Sequence, residues 1–279
     1  MIKIKAEIMP VTVLVTLLAL KTSCGNAELD PPFQKNFLGV KKNVDQHFPL
    51  CMPKKECGTL ESICDTNEIT PTYRYHGKDL FTKSFAIKQK SAVGALKEKG
   101  FRPRCSGTLV SSNLFLTAKH CISDNLNTLE AVFNYDWYSF GSPTQIKKYK
   151  VLSIEELGEH IDYAVLRLQG RPGLKYGWTK ISFKRIINAE SIPIMIIHHP
   201  YGGRKQISTG KTASDIGFYI NHTADTLAGS SGSGILNVRG EIFAMHTNGR
   251  CAPGKGYNMG IKLSKIPTSS ILRKLQEAN

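Results

Sequence analysis

Beyond about Thr70 the chain is written in short strand-like runs separated by Gly, Asn, Ser and Pro, and this punctuation limits its fold more than any other feature. The runs Cys105–Val110, Leu114–Ala118, Ala164–Leu168 and Ile192–Ile197 are each bounded by turn residues. Within Tyr163-Ala164-Val165-Leu166-Arg167-Leu168, the residues Ala164, Leu166 and Leu168 fall on one face, which predicts a half-buried strand. Gly234–Asn237 and Glu241–Thr247 flank Val238-Arg239-Gly240, the pattern of a hairpin. Many short strands with regular turns imply an all-β sandwich or barrel. Only Thr268–Glu277 reads as a helix, with Ile271, Leu272 and Leu275 on one face. At 279 residues, 41% of them hydrophobic, the chain has material for a large core, either one domain or two small fused barrels.

The amino-terminal part reads differently. Lys3 and Lys5 precede an apolar run from Ile8 to Leu20, and small polar residues follow up to Ala27, the order of a secretory signal. A spanning helix needs about 20 apolar residues and the run is too short for one. A lipid anchor at Cys24 is disfavoured by Lys21. Cleavage near Ala27 and a secreted or periplasmic location are therefore expected. Residues 28–74 are polar and without sustained period, and read as a pro-segment or an extended strap. Loss of the signal leaves six cysteines, Cys51, Cys57, Cys64, Cys105, Cys121 and Cys251, and an even number in an exported chain suggests disulfides.

The formal net charge is +15. Such a surface favours acidic peptides, anionic polysaccharides or cell surfaces, or serves only solubility. Lys and Arg are scattered, Arg102-Pro103-Arg104 is the densest basic spot, and no aromatic-interleaved motif accompanies them, so no nucleic-acid partner is expected. No CxxC pair exists, and the adjacent His198-His199 has no Cys or acidic neighbour at ligand spacing, so neither a metal nor another cofactor is expected. Asn221-His222-Thr223 has the pattern of a glycan acceptor, meaningful only in a eukaryotic host.

Amide hydrolysis needs a nucleophile, a base, a group that orients the base, and donors for the tetrahedral oxyanion. In Thr226-Leu227-Ala228-Gly229-Ser230-Ser231-Gly232-Ser233-Gly234, glycines flank a serine and let successive main-chain amides converge, so Ser231 is the candidate nucleophile, with Gly229 and Ser231 as oxyanion donors. The string Cys105-Ser106-Gly107-Thr108-Leu109-Val110, continuing to Leu116-Thr117-Ala118-Lys119-His120-Cys121, resembles the histidine motif of trypsin-like serine proteases. Ile161-Asp162-Tyr163-Ala164-Val165-Leu166 resembles that family's Asp-x-Ala-hydrophobic-Leu strand. The resemblance, over about residues 75–268, implies a catalytic triad of His120, Asp162 and Ser231 and a Cys105–Cys121 disulfide. It also implies two six-stranded antiparallel β-barrels of the chymotrypsin-like type, at about 75–178 and 179–267, with a carboxy-terminal helix at 268–277.

Trypsin and chymotrypsin carry Gly-Asp-Ser-Gly-Gly-Pro, and here Ser230, Ser233 and Gly234 depart from it. Ser230 is unable to form the ion pair that the family's Asp makes with a freed amino terminus. Ser-Gly-Ser after the nucleophile looks more like the bacterial glutamyl endopeptidase branch, and His199-Pro200-Tyr201-Gly202-Gly203 loosely echoes its Tyr-Pro-Gly stretch. In that branch a Thr five before the nucleophile and a His fifteen after it help bind a Glu side chain, the positions of Thr226 and His246. Asp225 stands where trypsin has the Asp that binds Lys or Arg, which favours the opposite preference. An acidic preference is the expectation. Cys251 lacks trypsin's mate at Leu227, so it is expected to join Cys51, Cys57 or Cys64. Together these features predict a secreted, monomeric serine endopeptidase acting on peptides, without stable membrane insertion. The alternative is a catalytically weak protease-fold protein that binds anionic glycans or cell surfaces.

Overall fold

The computed structural model describes residues 62–277, apart from 139, 187–188 and 253–254. The expected signal segment, Cys51 and Cys57 lie outside the described residues.

The described chain opens as a strap. Residues 62–69 run across the second barrel, and strand β1 (Thr70–Pro71) adds to that barrel's sheet beside Gln206 and Ile207. A proline is tolerated there because such an added edge needs few ladder donors. The small hairpin β2 (Gly77–Lys78) and β3 (Phe81–Thr82) leads into helix α1 (Lys83–Lys90). This helix is absent from the sequence prediction. Its sequence, Lys-Ser-Phe-Ala-Ile-Lys-Gln-Lys, carries no apolar stripe, and only Ala86 and Gln89 are buried. It is set instead by its cap, where the Thr82 hydroxyl accepts the Phe85 amide at 3.2 Å.

The first barrel is closed. Its strands are β4 (Val93–Glu98), β5 (Cys105–Leu109), β6 (Leu114–Thr117), β7 (Leu129–Phe133), β8 (Lys147–Leu157) and β9 (Ala164–Leu168). They pair antiparallel in the order β4-β5-β6-β9-β8-β7, and β7 returns to β4. Phe115 and Phe133, both fully buried, meet edge to face at 5.7 Å in the core. Burial of each ring is worth about 1.5–3 kcal/mol. The short helix α2 (Gly173–Tyr176), also unpredicted, stacks Tyr176 on Phe133 at 5.1 Å. Strand β9 corrects the half-buried prediction: Val165 is buried as completely as Ala164, Leu166 and Leu168, and only Arg167 keeps partial exposure. One apolar cluster runs from this barrel into the next and takes in Val165 together with Met195, Met245 and Ile261.

The second barrel is built from β10 (Pro193–His198), β11 (Gln206–Ile216), β12 (Tyr219–His222), β13 (Gly234–Leu236), β14 (Ile242–Asn248) and β15 (Asn258–Lys262). Its order is β11-β10-β13-β14-β15-β12, and β12 pairs back onto β11 to close it. The β13–β14 hairpin turns where the sequence placed it, with Gly240 at φ +77° and its amide on Asn237 O. Asn221 lies in β12, buried, with its amide bonded to Ser214 Oγ at 2.9 Å, so the acceptor pattern there is occluded by the fold.

Two loops join the barrels. The Arg204 guanidinium lies over Tyr135 and Trp137 at 5.0 and 4.7 Å, and Lys205 buries its ammonium against Lys90 O at 2.5 Å. Burial lowers the Lys205 pKa to about 8. The last helix, α3 (Ile271–Glu277), starts three residues later than predicted, because Thr268–Ser270 form a turn. Its start is fixed by Glu156 of β8, which accepts from Ser270 Oγ and Ile271 N at 2.7 and 2.9 Å.

Candidate active site

Antiparallel register explains why His120 and Asp162 meet although 42 residues separate them. Strands β6 and β9 pair with Thr117 opposite Ala164. His120 follows the end of β6 by a short turn, Lys119–Cys121, and Asp162 precedes the start of β9, so both leave the same end of one strand pair. Asp162 accepts the His120 main-chain amide at 3.0 Å and the ring Nδ1 at 2.6 Å. Burial pushes the Asp162 carboxyl up, but the hydrogen bond and charge of His120 and the amides of His120 and Lys119 outweigh it, and the net shift is below the ordinary aspartate value. Such a carboxylate holds Nδ1 protonated, leaving Nε2 as the basic nitrogen. The Cys105–Cys121 disulfide pins this loop, and both its sulfurs lie within 4.8 Å of a ring nitrogen of His120.

The glycine-serine loop of the second barrel is stitched to the same place. Ser106 of β5 donates its amide to Ser231 O at 2.9 Å and its hydroxyl to Gly229 O at 2.7 Å. The Cys121 sulfur lies 3.9 Å from Ser231 O. Gly232 sits at φ +88°, and a Cβ there would come within 2.3 Å of Ser106 O and 2.4 Å of Thr117 Oγ1. Only glycine allows this approach of one barrel to the other. Gly229, at φ +96°, is wedged likewise against His199 O. The amides of Ser230, Gly232 and Ser233 are bonded to Leu227 O, His246 O and Ser230 O. The Ser231 hydroxyl lies 3.4 Å from Thr247 O.

The pocket residues are ordered by a buried polar layer. His246 and Thr226 are fully buried, and His246 Nδ1 lies 3.1 Å from His222 Nε2. The Thr226 hydroxyl has no hydrogen-bond partner among the described groups. Asp225 departs from its expected place as a pocket wall. It is buried, and its two carboxylate oxygens accept the amides of Cys64 and Glu68 at 2.8 Å each. Burial raises its pKa, with those two amides acting the other way. The carboxylate therefore anchors the strap, which is also tied by the Cys64–Cys251 disulfide and by Ser62 O accepting from Asn258 Nδ2 at 2.7 Å.

Sequence reasoning missed Ser106, His198, Ser208 and His222 as parts of this site. His198 bridges Ser230 Oγ and Ser208 Oγ. His199 donates Nδ1 to Gly203 O at 3.0 Å and stacks on Tyr135. The one available signal was the His198-His199 pair itself, polar residues ending an apolar strand.

Two closed six-stranded antiparallel barrels, with a His–Asp pair on one and a glycine-serine loop of the other stitched against it, define the chymotrypsin-like class of serine protease folds. Within that class, residues 79–257, more than half of the chain, match the family described as lysyl endopeptidase, C-terminal domain, and the chain belongs to that family. Among solved structures it is similar to a Glu endopeptidase in complex with MPD, at 18% identity over 68% of this chain and 92% of that one, with a TM-score of 0.52. It is similar also to neuropsin, a serine protease expressed in the limbic system of mouse brain, at 17% identity over 68% and 96%, with a TM-score of 0.53. No curated protein matches it.

Proposed function

We propose that the chain is a secreted serine endopeptidase in which Ser231 is the nucleophile, His120 the general base and Asp162 the orienting carboxylate. The observation that carries this reading is the paired contact of Asp162 with the amide and Nδ1 of His120, beside a loop held by Ser106. Ser231 attacks the scissile carbonyl, its proton passes to His120 Nε2, and the oxyanion is received by the amides of Gly229 and Ser231. His120 then protonates the leaving amine, and water takes Ser231's place as nucleophile to release the acid. The two disulfides support an oxidising compartment.

The substrate residue before the scissile bond is Glu or Asp in this reading. An unpartnered buried hydroxyl is costly, and a substrate carboxylate would satisfy Thr226 Oγ1 while meeting the imidazole of His246. The family description favours lysine instead, for which Asp225 is the natural counter-charge. Against it, both Asp225 oxygens accept from the strap. A fluorophosphonate probe should label the chain at Ser231 and fail to label Ser231→Ala. A peptide-library digest read by mass spectrometry should show cleavage after Glu or Asp. Cleavage after lysine would sink the carboxylate pocket, and absence of labelling would sink the enzyme.

A further inference from the structure

The second barrel contains a hydrogen-bond chain in which every proton is assigned by its neighbours. Ser208 Oγ lies 2.6 Å from Asp225 O, a carbonyl that only accepts, so the Ser208 hydrogen goes there. His198 Nε2, 3.0 Å from the same hydroxyl, must then be the donor. An imidazole protonated on Nε2 offers Nδ1 as an acceptor, and Ser230 Oγ donates to it at 2.8 Å. Ser230 Oγ in turn accepts the Leu227 amide at 3.0 Å. The sequence of donors is Leu227 N–H, Ser230 O–H, His198 N–H, Ser208 O–H, ending on Asp225 O. His198 and Ser230 are fully buried and Ser208 is 1% exposed, so water does not compete for any link.

The two ends of this chain lie on one loop. Asp225 immediately precedes Thr226, and Ser230 immediately precedes Ser231, while His198 and Ser208 stand on the adjacent strands β10 and β11. On the reading of Ser231 as nucleophile, we propose that His198 is a positioning residue which, as a neutral Nε2–H tautomer, clamps the pocket end and the nucleophile end of the loop into one rigid unit. The loop is thereby shaped from inside the barrel. No charged group at residue 230 is needed for it. His198 touches neither substrate nor reacting atoms. Its effect is on where Ser231 and its amide stand, which is felt in kcat more than in KM.

The test uses the full chain. Imidazole nitrogen NMR near pH 7, with His198 assigned by difference from His198→Asn, should show a bare Nδ1 and a protonated Nε2. Ser208→Ala should slow fluorophosphonate labelling about tenfold or more, the loss of one to two buried hydrogen bonds. Ser208→Thr, which keeps the hydroxyl, should restore labelling to within about threefold of the parent. A Nδ1–H or doubly protonated His198 overturns the proposal, as does labelling at the parental rate in Ser208→Ala. A parent chain that never labels removes the enzyme reading instead, and the NMR result then still reports on the tautomer by itself.

Discussion

At the scale of single residues, the site rests on contacts whose removal has a predictable sign. Asp162 holds His120 in the tautomer that exposes Nε2, through its 2.6 Å bond to Nδ1. Asp162→Asn keeps the shape but favours the opposite tautomer, and kcat should fall about 10⁴-fold while the fold is retained. Steady-state kinetics paired with circular dichroism checks this, and a loss below about tenfold would contradict the assigned role. Because the folded Asp162 pKa lies below its ordinary value, its stabilisation is present at neutral pH and is lost as pH falls through that lowered value. Gly232 is the second sensitive position. Gly232→Ala must relieve contacts of 2.3 and 2.4 Å with Ser106 O and Thr117 Oγ1 and hold a side chain at φ +88°. We expect a cost of about 1–3 kcal/mol from the backbone alone and a larger loss in labelling at Ser231, because the loop has to withdraw from β5. Thermal unfolding and probe labelling measured on one sample separate the two effects.

At the scale of elements, the two disulfides do different work. Cys105–Cys121 closes 16 residues around the histidine turn, and Cys64–Cys251 closes 187 residues between the strap and the second barrel. Chain entropy assigns about 3 kcal/mol to the first loop and about 5 kcal/mol to the second. Paired Cys→Ala variants should therefore separate: Cys64→Ala/Cys251→Ala lowers the melting temperature more, and Cys105→Ala/Cys121→Ala lowers kcat more, since its sulfurs flank His120 and Ser231 O. Equal effects on both readouts would show that the strap and the histidine turn are one cooperative unit. The sequence carried the strands and the His120–Asp162 meeting because bounding turn residues and local motifs are written in consecutive residues. It failed at α1, whose residues show no apolar stripe and whose start depends on one threonine cap. It failed at Asp225 for another reason. The same residue reads as a pocket charge or as an anchor, and the amides that decide the matter come from Cys64 and Glu68, over 150 residues away. His198 and Ser208 were illegible likewise, because a hydrogen-bond chain across two strands leaves no pattern along either.

At the scale of the whole molecule, the second barrel and its seam bury histidines where most proteins bury aliphatic residues, and this ties the fold to pH. His198, His199 and His222 are fully buried. Burial is the first cause that depresses each of them. The charge of His246 adds to it for His198 and His222, and that of Lys205 for His199, whose pKa falls to about 3. Each is therefore neutral in the folded chain near neutral pH. The unfolded chain takes up these protons near the ordinary histidine value of about 6.5. Below that pH the unfolded state holds more protons than the folded one, so stability falls as pH falls, by about 1.4 kcal/mol per pH unit for each histidine. With three such groups the slope approaches about 4 kcal/mol per unit between about pH 6 and pH 5, a large fraction of the ~5–15 kcal/mol that holds a domain together. Asp162, with its lowered carboxyl, adds its own loss only at still lower pH, whereas Asp225, with its raised carboxyl, works in the opposite direction and takes back part of the slope. Urea midpoints measured at about pH 7.5, 6.5 and 5.5 should drop steeply over the last interval. His199→Gln removes one titrating ring and should make the slope shallower by about a third. A midpoint independent of pH over that range would mean that these rings gain their protons without unfolding, and the neutral chain through His198 would lose its footing.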